Sequence, residues 1–305
     1  MPPTRTISRK NRMRKRMQVV LRTQSSQTAK RIRRQRTAPR IKRRRAARRI
    51  GRAPAVPRIV CSAAPKVSVV IPAMNERKTI AQCILNASRV HEETEVIVVA
   101  NGSRDGTADI ARRMGARVIE YPFPLGHDVG RSIGAREAKG DIVLFMDADF
   151  VIPVSDLVPF VRAVQNGVDV ALNSYLGPVR KTHVHHVVVA KHALNSALSR
   201  PDLKGSSLTT VPHALSKKAL QIIGSDMLAV PPLAHAAAIH KGLNVRAVHH
   251  IDVGSKNPRR RRAAGGDPLA TLIVGDHLEA IGWLIRHTNS RACRDDLQRQ
   301  REKVR

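Results

Sequence analysis

Aromatic residues make up only 2% of this 305-residue chain: one Trp, two Tyr and four Phe. A core must therefore rest on Val, Ile, Leu and Ala. That is the composition of a parallel sheet covered by helices, whose central strands read as aliphatic runs. Cysteine is nearly as scarce. Cys61, Cys83 and Cys293 are odd in number, far apart and without Cys-x-x-Cys spacing. This argues against a disulfide framework or a zinc site and fits a reducing, cytoplasmic setting. No apolar run approaches the ~20 residues needed to cross a bilayer, and the N-terminus has no apolar block of the secretory kind. The expectation is a chain with no transmembrane segment. No Gly-x-Gly-x-x-Gly follows a strand-like run, which sets aside a dinucleotide-binding dehydrogenase.

Acidic residues are absent from the first 58 positions, which hold 22 of the 55 Lys and Arg; the first acid is Glu76. The remainder carries 55 − 22 = 33 basic against 23 acidic residues, so the net charge of +32 divides into +22 and +10. A segment built from Arg, Lys, Gln, Thr, Ser and Ala cannot bury enough apolar surface to offset its ordering entropy. It is expected to be disordered, or helical only on a partner. Two readings of it stay open: peripheral contact with an anionic membrane or nucleic acid, and a solubilising extension with no specific partner. No aromatic residue is interleaved, so bases find no stacking platform. The linker Arg52-Ala-Pro-Ala-Val-Pro57 closes the segment. The expected organisation is a basic tail over 1–58, an α/β domain over 59–290 and a polar C-terminal tail over 291–305.

From Lys66 the texture changes. Val67–Ile71 is an aliphatic run ending at Pro72, which predicts a buried strand. Ile80, Cys83, Ile84 and Ala87 follow at helical spacing, with Asn75 as the expected cap. Glu95–Ala100 predicts a second strand. A turn over Asn101-Gly-Ser-Arg-Asp-Gly-Thr107 leads into a helix stopped by Gly115. Arg117–Glu120 predicts a third strand, 129–138 a helix, and Ile142–Met146 a fourth strand. Strands and helices alternating at this length mean βαβ units and a mostly parallel sheet. Ligands of such sheets bind at the carboxyl ends of the strands. Pro72, Asn101 and the pair Asp147/Asp149 all fall there.

Two carboxylates at i and i+2 leaving a strand can point to one side. Hard oxygen donors of this kind suit Mg²⁺ or Mn²⁺ held jointly with phosphates. The alternative is a pair of carboxylates capping the next turn, ahead of the helix expected from Ser155. For Asn101 and Asp105 the alternative is ordinary turn chemistry.

Four segments together resemble family 2 glycosyltransferases of the GT-A type. They are Val-Ser-Val-Val-Ile-Pro-Ala-Met-Asn-Glu at 67–76, Asn101-Gly-Ser-Arg-Asp-Gly-Thr107, Gly130-Arg131 with Gly134 and Gly140-Asp141-Ile142, and Asp147-Ala-Asp149. Their order and spacing agree with that family; the resemblance is strong from about Lys66 to Asp156 and looser to about Val253, and the basic tail shares none of it. The resemblance implies a Rossmann-like GT-A sheet and a nucleotide-diphosphate-sugar donor, UDP- or GDP-linked, with a divalent metal. Carried over, it implies donor contacts at Pro72, Ala73, Glu76, Asn101, Ser103, Asp105, Arg131 and Asp147. It implies a metal at Asp147 and Asp149, with a third ligand from the pair His249-His250; adjacent strand residues face opposite sides, so only one can serve, and His249 is favoured. A nucleotidyltransferase would need a glycine-rich loop after the first strand, and Pro72-Ala-Met-Asn-Glu76 has no glycine.

The chain departs from that family's pattern at two places. Ala100 stands where an acid is usual. Pro231-Pro-Leu-Ala-His235 stands where a Glu-Asp pair often supplies the base. An inverting displacement needs a group to take the acceptor's proton; either Asp226 or His235 fills that role, or the reaction is retaining. His213 falls where the family places acceptor contacts, and the acceptor itself stays unknown. His183, His185 and His186 read as a helix start. The run Lys256-Asn-Pro-Arg-Arg-Arg-Arg262 reads as a lid over the donor, a solvated charge run, or an acceptor-phosphate or membrane contact. From Asp267 an amphipathic helix is expected through Ile285, with Trp283 on its apolar side. The rival to an enzyme is a catalytically inactive GT-A scaffold whose working part is the basic tail.

Overall fold

The computed structural model describes residues 57–179, 182–256 and 267–304. The tail up to residue 56 and the basic run from 257 to 262 lie outside the described residues.

Four parallel strands form one half of a seven-stranded sheet. They are β1 (Val67–Ala73), β2 (Thr94–Asn101), β3 (Arg117–Tyr121) and β4 (Ile142–Phe145). The other half is β5 (Val170–Asn173), β6 (His213–Ser216) and β7 (Val245–His249), and the full order is β3-β2-β1-β4-β6-β5-β7. β6 runs antiparallel to both β4 and β5, and β5 and β7 are parallel. The sheet is therefore mostly parallel, with helices on both faces, as in the GT-A fold. β5 and β6 are four residues each, too short for the alternation that marks a strand in sequence.

Alternation along the strands sorts side chains between two cores. Val67, Val69, Ile71 and Leu144 point to one face. There they meet α1 (Ile80–Ala87), α2 (Thr107–Met114) and α4 (Val154–Gln165). Val70, Val143 and Phe145 point to the other. That face is covered by α3 (Val129–Glu137), α5 (His186–Ala197), α6 (Lys217–Ile223), α7 (Pro231–His240) and α9 (Pro268–His287); a short α8 spans Val253–Lys256. The scarcity of aromatics shows in α7, where Ala234, Ala236, Ala237 and Ala238 are all fully buried.

Three local expectations change. Asn75 does not cap α1: the helix starts after Thr79, and Asn75 takes a left-handed φ of 60° instead. Its Oδ1 accepts the backbone N–H of Arg104 at 2.8 Å, tying the loop after β1 to the loop after β2. The amphipathic helix α9 is 20 residues long and, by length and composition, apolar enough to cross a bilayer, which amends the expectation that no run reaches that length. Its Ala270, His277, Ala280, Trp283 and Leu284 are buried, and it packs on α5 and α7. The helix expected from Ser155 begins one residue earlier, after Pro153.

Candidate active site

A crevice of about 360 Å³ opens at the carboxyl ends of β1, β2 and β4. Pro72, Ala73, Met74 and Glu76 form its β1 side, Asn101 its β2 side, and Asp147, Ala148 and Asp149 its β4 side. The fourth side is the loop into α3, with Pro124, Gly126, His127, Asp128, Gly130 and Arg131. Two glycines let α3 approach closely enough to close it. A Cβ on Gly134 would stand 2.2 Å from Val70 Cγ1, and one on Gly130 would stand 3.0 Å from Pro72 Cβ.

Of the residues singled out from the sequence, Pro72, Ala73, Glu76, Asn101, Arg131, Asp147 and Asp149 line this one crevice. Ser103 and Asp105 do not; they brace its wall. Ser103 Oγ accepts the Asn75 N–H at 3.1 Å and donates to the Ala73 carbonyl at 3.3 Å. Asp105 Oδ2 accepts the Arg77 N–H at 3.0 Å, and Oδ1 accepts the Thr107 N–H at 3.0 Å. Burial raises its carboxyl, but the Thr107 hydroxyl, which also donates to Oδ1, and then these backbone N–H groups outweigh it and hold it below the usual range. Asn101 both lines and braces: its Nδ2 donates to the Gly126 carbonyl at 3.1 Å, and its Oδ1 accepts the Leu125 N–H.

The charged centre is Arg131. Its side chain is 4% exposed, with one terminal nitrogen 2.8 Å from Asp128 Oδ1 and the other 3.4 Å from Asp147 Oδ1. Burial works against the guanidinium, but the two carboxylates outweigh it and hold it charged. Asp128, buried and with only a share of that cation, is the member whose carboxyl is pushed up. Asp128 was missed in the sequence reading. Nothing in its local composition distinguishes it, and only its left-handed φ of 63° at the start of α3 folds it back onto Arg131. The Cys83 thiol, buried beneath the crevice, is pushed up to about 12 by burial first, then by Asp149, Glu76 and Asp147. Negative charge from all three acids converges on that point.

Asp147 and Asp149 could hold a divalent cation. Their oxygens are the hard donors that Mg²⁺ and Mn²⁺ prefer, and two carboxylates leave coordination positions for phosphate oxygens and water. Among the described residues no group of three or more His, Cys, Asp or Glu is assembled for a metal. His249 does not line the crevice: its Nε2 is 3.2 Å from Asp156 Oδ1, and its ring stands edge-on to Phe160 at 6.0 Å.

The candidates for base and acceptor contact also lie elsewhere. Asp226 is exposed and paired with Arg136, its Oδ1 2.6 Å from the guanidinium, at the C-terminal end of α3; the crevice lies at the N-terminal end. His235 is fully buried in α7, with Nε2 2.7 Å from Asn195 Oδ1, and burial pushes its pKa down to about 3. His213 is buried on β6, stacked 5.2 Å from Phe145, with Nδ1 3.1 Å from the Thr210 carbonyl. Burial, then the charge of Arg131, takes its pKa down to about 3. It stands behind the crevice wall rather than in it. His185 caps α5, as its position suggested.

The geometry can be set beside known proteins. The family model described as glycosyl transferase family 2 matches residues 68–212, the stretch that carries every strand end of the crevice. Over those residues the chain is similar to glycosyl transferase family 2. A 4,4'-diaponeurosporenoate glycosyltransferase of Staphylococcus haemolyticus is 37% identical over 89 residues, 27% of this chain and 24% of that protein. A dolichol-phosphate mannosyltransferase of Pyrococcus furiosus is 29% identical over 138 residues, 42% of this chain and 39% of that one. The chain thus spans about a quarter to two-fifths of these two relatives. The glucosyl-3-phosphoglycerate synthase of Mycobacterium tuberculosis, in complex with UDP, superposes with a TM-score of 0.54 at 23% identity, over 72% of this chain and 81% of that one. The likeness extends the shared GT-A fold past the end of the family match.

Proposed function

We propose that this protein transfers a hexose from a nucleotide-diphosphate-sugar to an acceptor, with the donor seated in the crevice between β1, β2 and β4. The observation that carries the proposal is the convergence of Pro72, Asn101, Arg131, Asp147 and Asp149 on one opening. In this reading Pro72, Ala73 and Asn101 flank the nucleoside, while Ser103 and Asp105 keep that wall rigid. Arg131 fixes the Asp147 carboxylate and adds positive potential beside the diphosphate. A divalent ion held by Asp147 and Asp149 would neutralise charge on the departing diphosphate. The mycobacterial synthase supports the choice of ligands: it has been crystallised with Mn²⁺, UDP and phosphoglyceric acid together.

For the acceptor, relatives named as a dolichyl-phosphate hexose transferase of Haloferax volcanii and an undecaprenyl-phosphate 4-deoxy-4-formamido-L-arabinose transferase of Pseudomonas syringae favour a phosphate-bearing molecule. We take the 22 basic residues of positions 1–58 as the means of contact with an anionic surface that presents it. Because neither Asp226 nor His235 reaches the crevice, we favour retention of configuration at the anomeric carbon.

The deciding experiment is turnover and hydrolysis of a panel of UDP- and GDP-hexoses with Mn²⁺ or Mg²⁺. Asp149→Ala should lower the metal-dependent rate on the order of 10²–10³-fold, the range for loss of a charge-stabilising group. Absence of nucleotide-dependent Mn²⁺ binding by the unmutated protein would instead favour the scaffold reading.

A further inference from the structure

Behind the crevice, between the loop that precedes β6 and helices α5, α7 and α9, lies a buried polar cluster that the donor site does not use. Its centre is Lys191 on α5, which is 6% exposed. The Lys191 Nζ donates to Thr210 Oγ1, and among the described residues no carboxylate pairs with it. An ammonium taken out of water without a counter-anion is costly. Here burial alone acts on it and pushes its pKa down to about 8. The two histidines beside it stay neutral and supply no counter-charge. His235 and His277 are both buried and both feel the charge of Lys191.

The groups around Lys191 are hydrogen-bonding groups with capacity to spare. Ser206 and Ser207 are each 1% exposed, and Thr210 is 6% exposed. Ser206 Oγ and Ser207 Oγ have no hydrogen-bond partner among the described residues, and neither do His235 Nδ1 and His277 Nε2. Buried polar atoms are nearly always satisfied, so this many in one place is informative. The serine hydroxyls can act as donors, on the same loop as Thr210, whose N–H donates to the Ser207 carbonyl. The two histidine nitrogens are acceptors, because His235 Nε2–H faces Asn195 Oδ1 and His277 Nδ1–H faces the Ile273 carbonyl. Water satisfies unpaired dipoles but does not balance a charge. An oxyanion does both.

We infer that Lys191 and the hydroxyls of Ser206, Ser207 and Thr210 form a buried binding site for a phosphate-type oxyanion, distinct from the donor crevice. The ammonium supplies the charge, and the hydroxyls supply short donors to the remaining oxygens. The loop that carries these hydroxyls leads directly into His213, whose Nδ1 is 3.1 Å from the Thr210 carbonyl. Occupancy would therefore order the loop next to Arg131. The site takes either free phosphate or the phosphate of a larger ligand.

The test is thermal unfolding of the full chain against inorganic phosphate, without nucleotide or divalent metal and with ionic strength held by NaCl. At about 100 times Kd the midpoint should rise by roughly 5–10 °C. Lys191→Met keeps the volume and removes the uncompensated charge; it should fold at least as stably as the parent and lose this rise. Thr210→Val, which leaves the lysine in place, should weaken phosphate at least about tenfold, the loss of one charged hydrogen bond. Glycerol 3-phosphate forms the second arm. A shift at lower concentration than inorganic phosphate assigns the site to a ligand's phosphate group, and a smaller one assigns it to the free ion. An equal phosphate response in the parent, Lys191→Met and Thr210→Val overturns the inference and leaves a core network served by water. No sugar donor enters the assay, so its outcome is independent of the proposed transfer.

Discussion

Replacing Arg131 by Met tests the charged centre of the crevice most directly. The substitution keeps an unbranched apolar stem and removes the guanidinium that Asp128 and Asp147 share. The two acids then fare differently. Asp147, with a side chain 33% exposed, can be hydrated again, whereas Asp128, at 4%, cannot. Removing one partner of a buried ion pair costs about 3–5 kcal/mol, most of it the stranded charge, so Arg131→Met should lower unfolding free energy by ~3 kcal/mol at pH 7. The Asp128 carboxyl already lies above its ordinary range because of burial, and without Arg131 it rises further. The folded variant then holds a proton that the unfolded chain releases, so its stability must increase on acidification. Each pH unit between the variant's raised folded pKa and the parent's lower one should return ~1.4 kcal/mol relative to the parent. Adding Asp128→Asn removes the stranded charge and should restore stability to within ~1 kcal/mol of the parent at pH 7. Urea unfolding of the three proteins at pH 7 and pH 5 measures all of this. A deficit below ~1 kcal/mol for Arg131→Met, or one that neither acid nor Asp128→Asn relieves, would refute the reading of Arg131 as a buried counter-ion.

Other consequences are as direct. Asp226→Ala should leave kcat within about threefold, since it loses only an exposed pair with Arg136 worth under ~1 kcal/mol; a hundredfold fall in kcat at unchanged KM would reinstate Asp226 as the base. Gly134→Val forces a side chain into the space of Val70 and should cost about 1–3 kcal/mol or more in stability, read from the denaturation midpoint, with weaker donor binding as α3 is pushed off β1. Iodoacetamide at pH 8 should label exposed Cys293 and spare Cys83, whose thiol stays protonated and out of reach; mass spectrometry of the native protein showing rapid Cys83 alkylation would contradict the buried core beneath the crevice.

Much of the crevice was legible in the chain itself, for a physical reason. β1, β2 and β4 are buried on both faces, so their sequences are unbroken aliphatic runs, and each polar residue that follows marks a strand end. The topology of a parallel sheet then sends Pro72, Asn101, Asp147 and Asp149 to one edge before any coordinates are known. Gly130 and Gly134 were visible as a pattern, but their use is a matter of distance: only the packed structure shows α3 lying against Pro72 and Val70 with no room for a Cβ.

What tertiary structure alone decided concerns residues whose partners are remote in sequence. Asp226 is 90 positions from Arg136, and His249 is 93 from Asp156; no local pattern announces either pair. The short antiparallel β6 has no periodic signature, yet it carries His213 onto Phe145 and so takes that histidine into the core. The fate of Asp128 depends on one left-handed backbone angle, and that of Lys191 on the absence of a paired acid, among the described residues, where a loop meets helix α5. Strand ends declare themselves because hydrophobic burial is written locally, residue by residue. Charge partners do not, because electrostatic pairing depends on distances that only the folded chain sets.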